Sequence, residues 1–210
     1  MGTGDATGFL RNGVGHIVDS PSMYRLSQVL SDPWRLGPMR AALARVPHSS
    51  LLDLGCGVGD LAGVTDARYT GVDISPAYVA YAQRHFGGPN RRFVVGDALV
   101  PDPGLGQHDV VALISFLHHL ADDEARRCLK GLEMVSPSRL FIIESALERA
   151  GAVFRRVFAP LDRGKHYRTT AGIAELLKGA GWEIEREHPF GTPLGFFPYV
   201  AIVAGRPGRV

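Results

Sequence analysis

The stretch LLDLGCGVGDL, residues 51–61, decides how the rest of the chain is interpreted. A short apolar run leads into a loop with glycine at every second position, Gly55, Gly57 and Gly59, and Asp60 follows at once. A strand that enters a glycine-rich turn and continues as a helix usually holds a nucleotide. The dinucleotide fingerprint G-x-G-x-x-G requires glycine where this chain has Asp60. The loop therefore predicts a nucleotide-like ligand, but not the commonest one.

The charges around this loop indicate which ligand it prefers. Apart from His48, the charged residues between positions 46 and 67 are all acidic: Asp53, Asp60 and Asp66. A pyrophosphate placed here would face carboxylates, and like charges about 4 Å apart repel by roughly 1–4 kcal/mol at effective dielectric constants of 80–20. S-adenosylmethionine has a sulfonium, an ammonium and one carboxylate, and it has no phosphate. The loop thus favours S-adenosylmethionine over NAD.

The bulk properties predict a soluble, cytoplasmic protein. The chain has 210 residues, 45% apolar and 21% charged, which suffices for one α/β domain with a small appendage. A net charge of +2 argues against a nucleic-acid partner, which usually requires a concentrated basic patch. The two cysteines, Cys56 and Cys128, lack metal-ligand spacing and suit a reducing compartment. No signal peptide or membrane span is expected, and the oligomeric state is left open.

From residue 49 onwards, short apolar strands alternate with helical patterns. The runs VVALI at 110–114 and LFII at 140–143 are apolar throughout, which indicates strands covered on both faces. The pattern PAYVAYAQRHF at 76–86 starts with a proline and follows Ser75, a strong helix-start signal. The fold is therefore predicted to be α/β, a Rossmann-like doubly wound sheet wrapped by helices.

The same pass along the chain predicts its organisation. Residues 1–20 are rich in glycine and small polar residues and are expected to be flexible, and residues 21–48 are predicted to form a helical cap. Residues 49–205 form the α/β domain. At about 146–168 the alternation is interrupted just after a strand, where an insertion lies over the ligand crevice of a doubly wound sheet. This insertion is predicted to be a lid or substrate-recognition segment, with a purely structural excursion as the alternative.

Three aspartates follow or end successive predicted strands. Asp73 comes twenty residues after Asp53, at the end of the second strand, where a carboxylate can accept both ribose hydroxyls. Asp97 ends the third strand, where it can accept a hydrogen bond from the adenine amine. A turn-capping aspartate is common at any one such position, but three in succession favour a binding site.

The segments LLDLGCGVGD, YTGVDIS, FVVGDAL and DVVALISFLHHL, in that order, resemble the successive motifs of class I S-adenosylmethionine-dependent methyltransferases. The resemblance implies a seven-stranded sheet, mostly parallel with the last strand antiparallel. It also implies contacts to the cofactor, with the loop under the methionine moiety, and a Tyr-bearing helix folded over it. The cofactor-binding residues expected on this basis are Tyr24, Asp53, Gly55, Cys56, Gly57, Asp73, Ile74, Asp97, Ala98, Ser115 and Phe116.

Methyl transfer to an alcohol or phenol requires a proton acceptor, whereas an amine requires little help and a thiolate hardly any. The candidate acceptors are His118 and His119 after the fourth strand, Glu144 ending the fifth, and His166 in the insertion. For the histidine pair the alternative is a structural role in holding the loop. No residue pattern suggests a metal ion, so none is predicted.

The sequence determines the identity of the methyl acceptor less well than the fold or the cofactor. Arg163, Tyr167 and Arg168 in the insertion are candidates for binding an acceptor, with surface ion pairing as the alternative for the two arginines. The favoured function is methyl transfer to an O, N or C nucleophile of a small biosynthetic intermediate. Two alternatives stay open: an RNA- or protein-directed methyltransferase, and a non-methylating protein of this fold that acts as a rearrangement catalyst or partner subunit.

Overall fold

The computed structural model describes residues 32–100, 102–135, 137–161, 164–192 and 196–208. Two predicted site residues, Tyr24 and Arg163, lie outside the described residues, as do the expected flexible N-terminus and the first part of the helical cap. Within the described part of the chain, no helix combines the length and the apolar content needed to cross a lipid bilayer.

A seven-stranded sheet forms the centre of the molecule, with strand order β3-β2-β1-β4-β5-β7-β6. β7 runs antiparallel to both of its neighbours, and the other described pairs are parallel. This arrangement confirms the predicted doubly wound sheet with an antiparallel last strand. The strands are β1 (Ser50–Leu54), β2 (Arg68–Asp73), β3 (Arg91–Val95), β4 (Val110–Ile114), β5 (Arg139–Ser145), β6 (Glu183–Gly191) and β7 (Pro198–Gly205).

Helices cover both faces of this sheet, and local sequence signals explain where they begin. The Ser75 side chain accepts a hydrogen bond from Tyr78 N at the start of α2, and the Thr169 side chain accepts one from Gly172 N at the start of α4. Both helices thus begin where a capping side chain is available. The helices are α1 (Asp32–Leu43), α2 (Pro76–Phe86), α3 (Asp122–Gly131) and α4 (Thr170–Gly179).

The core has two layers, one on each side of the sheet. On one side α3 and α4 bury Leu129 and Leu176, together with Trp182 just before β6. On the other side α1 and α2 pack over Leu51 and Tyr69 of the first two strands. β4 is buried from both sides except at its last residue, as the unbroken apolar run VVALI predicted.

Short turns connect these elements at the edge of the sheet that forms the site. The segment after the glycine loop is a short 3₁₀ helix at Asp60–Val64. A one-turn segment, Leu117–His119, follows β4. The insertion after β5 contains the turn Leu147–Arg149 and the helical segments Phe154–Phe158 and Ala159–Leu161. It returns to the domain through a bridge between Ala146 and Arg168.

Candidate active site

The strand order reverses between β1 and β4, and doubly wound sheets bind ligands at the carboxyl edge beside such a reversal. The glycine loop after β1 and the Leu117–His119 turn after β4 lie at this edge. Gly55 has φ 75° and its N–H donates to Val72 O at 2.8 Å. A side chain added at Gly55 would place its Cβ 2.5 Å from the Phe116 ring. Glycine is therefore required where the two loops meet.

Asp73, at the end of β2, ties the glycine loop to the next helix. Its Oδ2 accepts a hydrogen bond from Gly57 N at 2.8 Å and its Oδ1 accepts one from Ser75 N at 2.9 Å. Each carboxylate oxygen has two lone pairs, so acceptor capacity is left for a diol. The two backbone contacts were not predicted, because they depend on how the loop folds back over β2.

Asp53 lies beneath the glycine loop and is 2% exposed. The Tyr69 hydroxyl donates a 2.6 Å hydrogen bond to its Oδ2, whereas Oδ1 is buried with no hydrogen-bond partner among the described residues. Burial raises the pKa of Asp53 to about 7, helped by the neighbouring charges of Asp73 and Asp60 and opposed by the Tyr69 hydrogen bond. An unpartnered buried carboxylate oxygen with a raised pKa suits a cationic ligand group such as an ammonium.

The ends of β2 and β3 present an apolar surface beside an acid. Ile74 is 73% exposed and Val95 is 51% exposed, although both are large apolar residues. Asp97 is exposed, and its Oδ1 accepts a hydrogen bond from Leu99 N at 2.8 Å, while Ala98 is buried. Exposed aliphatic side chains next to a carboxylate can contact a flat ring that carries an amino group. Val95 was not singled out from the sequence.

Asp60 corrects one step of the charge argument made from the sequence. Arg35 of α1 lies outside the acidic stretch, and its Nη2 is 2.6 Å from Asp60 Oδ2, with both side chains largely buried. Asp60 therefore has a cationic partner and helps to hold α1 against the 3₁₀ turn. The argument against a phosphate ligand then depends on Asp53 and on Asp73, which accepts a hydrogen bond from Gly57 N of the loop.

Among the described residues, Ser115 is the only non-glycine residue with positive φ, at 49°. It directly follows β4, and its N–H donates to Ile143 O at 2.7 Å. Such a backbone conformation is unfavourable for a side-chain-bearing residue and is often found at functional sites. It turns the chain into the Leu117–His119 segment and places Phe116 against the glycine loop.

His118 and Glu144 form a buried pair at the same edge. The distance from His118 Nδ1 to Glu144 Oε2 is 2.7 Å, and the two residues are 5% and 2% exposed. Glu144 Oε1 also accepts hydrogen bonds from Phe116 N and Leu117 N at 2.8 and 2.6 Å. Since the carboxylate accepts, Nδ1 is the protonated ring nitrogen, and Nε2 is then the basic one in neutral imidazole. His118 and Glu144, which the sequence analysis predicted separately, are therefore hydrogen-bonded to each other.

The insertion covers this pair. The Tyr167 ring stacks on the His118 ring, with centroids 4.9 Å apart and an angle of 7° between the planes. A Cβ added to Gly164 would lie 1.9 Å from His118 Cδ2, so only glycine allows this approach. His166 N donates to His118 O at 2.9 Å. Gly164, His166 and Tyr167 of the insertion therefore pack against His118, and a lid or substrate-recognition role for the insertion stays a prediction.

Four other sequence-predicted residues lie near this pair: His119, His166, Tyr167 and Arg168. His119 and His166 have exposed side chains, and neither is hydrogen-bonded to Glu144 in the contacts that define the pair. The five N–H donors of Arg168 are all used by protein acceptors, and its side chain is 10% exposed. Two of these donors bind the carbonyls of Leu117 and Leu120, next to His118. The Tyr167 ring contacts both His118 and Phe154. The predicted roles of Arg168 and Tyr167 in binding substrate stay predictions.

The described residues contain no group of three or more His, Cys, Asp or Glu side chains arranged to hold a metal ion. Cys56 is buried at the loop, and burial raises the pKa of its thiol well above the usual value. A thiol in that state is a small packing residue beside Gly71 and not a nucleophile. Its expected place next to the cofactor stays a prediction.

An open sheet of this strand order, with a glycine loop after β1 and carboxylates after β2 and β3, defines the class I methyltransferase fold. Residues 51–136 match the family model described as a methyltransferase domain. The matched segment covers less than half of the chain, and the fold of the described residues is that of solved methyltransferases with bound S-adenosylmethionine or S-adenosylhomocysteine.

The relatives and solved structures that this chain resembles are methyltransferases. The trans-aconitate 2-methyltransferase of Delftia acidovorans (strain DSM 14801 / SPH-1) is 33% identical over 100 residues, which cover 43% of this chain and 37% of that enzyme. The magnesium protoporphyrin IX methyltransferase of Synechocystis PCC 6803, with bound SAH, superposes with a TM-score of 0.66 at 23% identity over 96% of this chain and 95% of that one. Human N-acetylserotonin methyltransferase in complex with SAM gives 0.69 at 24% identity over 93% and 59%. The match thus spans about a third of the curated relative.

Proposed function

We propose that this chain transfers a methyl group from S-adenosylmethionine to a hydroxyl group of a small organic acceptor. The observation that carries the proposal is the buried His118–Glu144 pair, whose ring nitrogen and carboxylate lie 2.7 Å apart at the ligand edge of the sheet. Such a pair is what proton removal from an alcohol or phenol requires, whereas transfer to an amine or thiolate requires little base. This narrows the O, N or C nucleophiles left open by the sequence to oxygen.

The residues at β1, β2 and β3 fit the cofactor. The unpartnered Oδ1 of Asp53 suits the ammonium group, and Asp73 has acceptor capacity for the ribose hydroxyls. Ile74 offers an exposed apolar contact for the adenine ring, with Asp97 beside it. When bound, S-adenosylmethionine supplies a methyl group on a sulfonium, an already activated leaving group. The protein's own task is to align the acceptor and exclude water.

The proposed role of Glu144 is to fix the tautomer of His118. By accepting from Nδ1 it leaves Nε2 as the proton acceptor and stabilises the imidazolium formed when the hydroxyl proton is taken up. Gly164 and Tyr167 lie over the ring, so an acceptor reaches Nε2 after this part of the insertion moves aside. Closure of the same segment then excludes water from the reaction.

A small-molecule acceptor is supported by two observations. The relatives named above carry names of small-molecule methyltransferases, and the chain's net charge is only +2. An RNA-directed enzyme would bind its substrate through basic residues, and its affinity would fall steeply with salt. Turnover that is lost on adding salt, at concentrations at which the protein stays folded, would favour that alternative.

The first experiment is a calorimetric titration with S-adenosylhomocysteine, with NAD run in parallel. Micromolar binding of S-adenosylhomocysteine alone supports the proposal and justifies a screen of phenols, alcohols and hydroxy acids, with S-adenosylhomocysteine release as the readout. Binding of NAD alone would contradict it. Cofactor binding with no turnover of any acceptor class would favour the non-methylating alternative.

The role of His118 is tested on the acceptor that the screen identifies. His118→Asn removes the base, and turnover should fall about 100-fold or more, in the range typical of general-base removal. His119→Asn changes the exposed neighbouring ring, and a loss below threefold is expected because His119 lies outside the Glu144 pair. A larger loss in His119→Asn than in His118→Asn would identify His119 as the base. Similar small losses in both variants would show that neither histidine is the base.

A further inference from the structure

The single turn that carries His118 is held at both ends by charged side chains. At its N-terminal end Glu144 Oε1 accepts from Phe116 N and Leu117 N. On the carbonyl side of the turn, Arg168 donates to Leu117 O and Leu120 O, each at 2.7 Å. The N–H groups of a short helical turn favour an anionic partner and its carbonyl groups favour a cationic one, so a carboxylate and a guanidinium complement the two sides.

All five N–H groups of the Arg168 guanidinium are hydrogen-bonded within the protein. Its Nη1 donates to Leu117 O and to His166 O at 3.0 Å, and its Nη2 donates to Leu120 O and to Asp122 Oδ1 at 2.7 Å. Its Nε donates to the same Asp122 oxygen at 3.0 Å. A guanidinium has five N–H groups in a planar fork, and here each is matched by one acceptor.

These acceptors lie on both sides of the crevice edge. Leu117 and Leu120 belong to the turn after β4, whereas His166 belongs to the insertion that covers it. The Arg168 backbone is itself anchored just after β5, because its carbonyl accepts from Leu147 N and it forms a bridge with Ala146. Arg168 thus links the turn to the chain that follows β5, the strand that supplies Glu144. The Asp122 carboxylate orients the fork, and this hydrogen bond lowers the pKa of Asp122.

We propose that Arg168 is a positioning residue for His118: by binding the carbonyls of Leu117 and Leu120 it holds the imidazole so that Nδ1 stays on Glu144. The inference rests on the proposed function of His118 as the base. Lysine could not replace Arg168 in this task, because an ammonium donates from one atom and cannot reach two turn carbonyls and Asp122 together.

The test uses a spectroscopic signature that does not require an acceptor. In the intact protein the Nδ1 proton of His118, hydrogen-bonded to Glu144 and buried, should give a downfield proton resonance that exchanges slowly with water. The signal is assigned by its absence from His118→Asn. In Arg168→Gln it should be lost, or exchange at least tenfold faster, because the turn is no longer held.

A matched control separates this effect from the loss of a surface charge. Arg126 also pairs with Asp122, at 3.8 Å, and its side chain is 49% exposed. Arg126→Gln therefore removes a guanidinium from the same carboxylate but leaves the turn carbonyls bonded, and the resonance should persist. If Arg168→Gln does not fold, as judged by near-ultraviolet circular dichroism, Arg168→Lys keeps the charge and should still weaken the signal.

The outcomes separate this inference from the proposed function. An unchanged resonance in a folded Arg168 variant overturns the inference, and so does its absence from the unsubstituted protein. Where an acceptor is known, Arg168→Gln should lower kcat at least tenfold with KM for S-adenosylmethionine unchanged, and should add less than threefold to the loss in His118→Asn. Full activity of His118→Asn would refute the proposed function, whereas the resonance test would still decide the role of Arg168.

Discussion

The two halves of the crevice differ in how completely their polar and apolar groups are already used by the protein. On the β1–β3 side, Asp53 has a buried oxygen with no partner in the part of the chain that the structure describes, and Ile74 is largely exposed. On the β4–β5 side, Glu144 accepts three hydrogen bonds, and all five N–H groups of the Arg168 guanidinium are hydrogen-bonded. Under the proposed function, the first half receives the cofactor as it stands, whereas the second has to open to admit the acceptor.

The largest effect is expected from Asp73→Ala, which attacks the open half. The substitution removes a buried carboxylate that holds Gly57 N and is proposed to accept from the ribose. Charged hydrogen bonds contribute about 1.5–3 kcal/mol each, so the dissociation constant for S-adenosylhomocysteine should rise more than tenfold. Calorimetry measures it. Asp66→Ala, which changes an exposed aspartate of the same segment, should leave binding unchanged. Unchanged affinity in Asp73→Ala would remove Asp73 from the site.

A smaller effect is expected when the closed half is forced open by Gly164→Ala. The added methyl group would meet the His118 ring, so the insertion or the ring has to shift. Overpacking of this kind lowers the free energy of unfolding by about 1–3 kcal/mol. Denaturant titration measures this loss, and S-adenosylhomocysteine affinity should change less than threefold because the cofactor half is separate.

Gly172→Ala is the matched control, since a Cβ at Gly172 would make only ordinary contacts at 3.5 Å. A Gly164→Ala protein as stable as this control would show that the insertion is not packed on His118. A large loss of cofactor affinity in Gly164→Ala would show that the two halves are not independent.

The smallest effect concerns the pH dependence of Asp53. Its pKa is raised from 3.8 to about 7 in the folded protein, so the folded state binds the proton more tightly than the unfolded state. The free energy of unfolding therefore falls as pH rises through this window, by about 1 kcal/mol between pH 6 and pH 7. Asp53→Asn should lack this slope, and denaturant titrations at the two pH values measure it. A slope unchanged in Asp53→Asn would show that the buried group is not the source.

The same group predicts proton release when the cofactor binds. An ammonium beside Asp53 favours the ionised carboxylate, so S-adenosylhomocysteine should bind more tightly at pH 7.5 than at pH 6 and release a proton near pH 6.5. Calorimetry in buffers of different ionisation enthalpy measures the proton count. The analogue 5′-methylthioadenosine, which lacks the amino acid moiety, should release none. Equal proton release with both ligands would show that the ammonium group does not lie beside Asp53.

The sequence predicted best what local signals determine. The glycine loop, the Ser75–Pro76 helix start and the apolar strand runs each depend on a few adjacent residues, and all three lie where expected. The parallel order of the strands then brought Asp73 and Asp97 to one edge, as their positions at strand ends implied. Whether these residues bind the cofactor stays a prediction.

The contacts that the sequence did not predict join residues that are distant along the chain. The partner of Asp60 is Arg35, 25 positions away, and Arg168 reaches Leu117 over 51 positions. Neither partner has a sequence signal of its own, because an arginine in a helix or an insertion is usually at the surface. The His118–Glu144 pair could have been predicted from the sequence, since His118 closely follows β4 and Glu144 lies near the end of the neighbouring parallel strand β5.

The ion pair between Arg35 and Asp60 links the glycine loop to a helix outside the matched domain. The segment that matches the methyltransferase domain model begins at residue 51, downstream of α1. A protein trimmed to that boundary would keep every residue of the glycine loop but would lose the Arg35 guanidinium, whose Nη2 lies 2.6 Å from Asp60 Oδ2. The first helix is thus a component of the loop's electrostatics as well as a cover for the sheet.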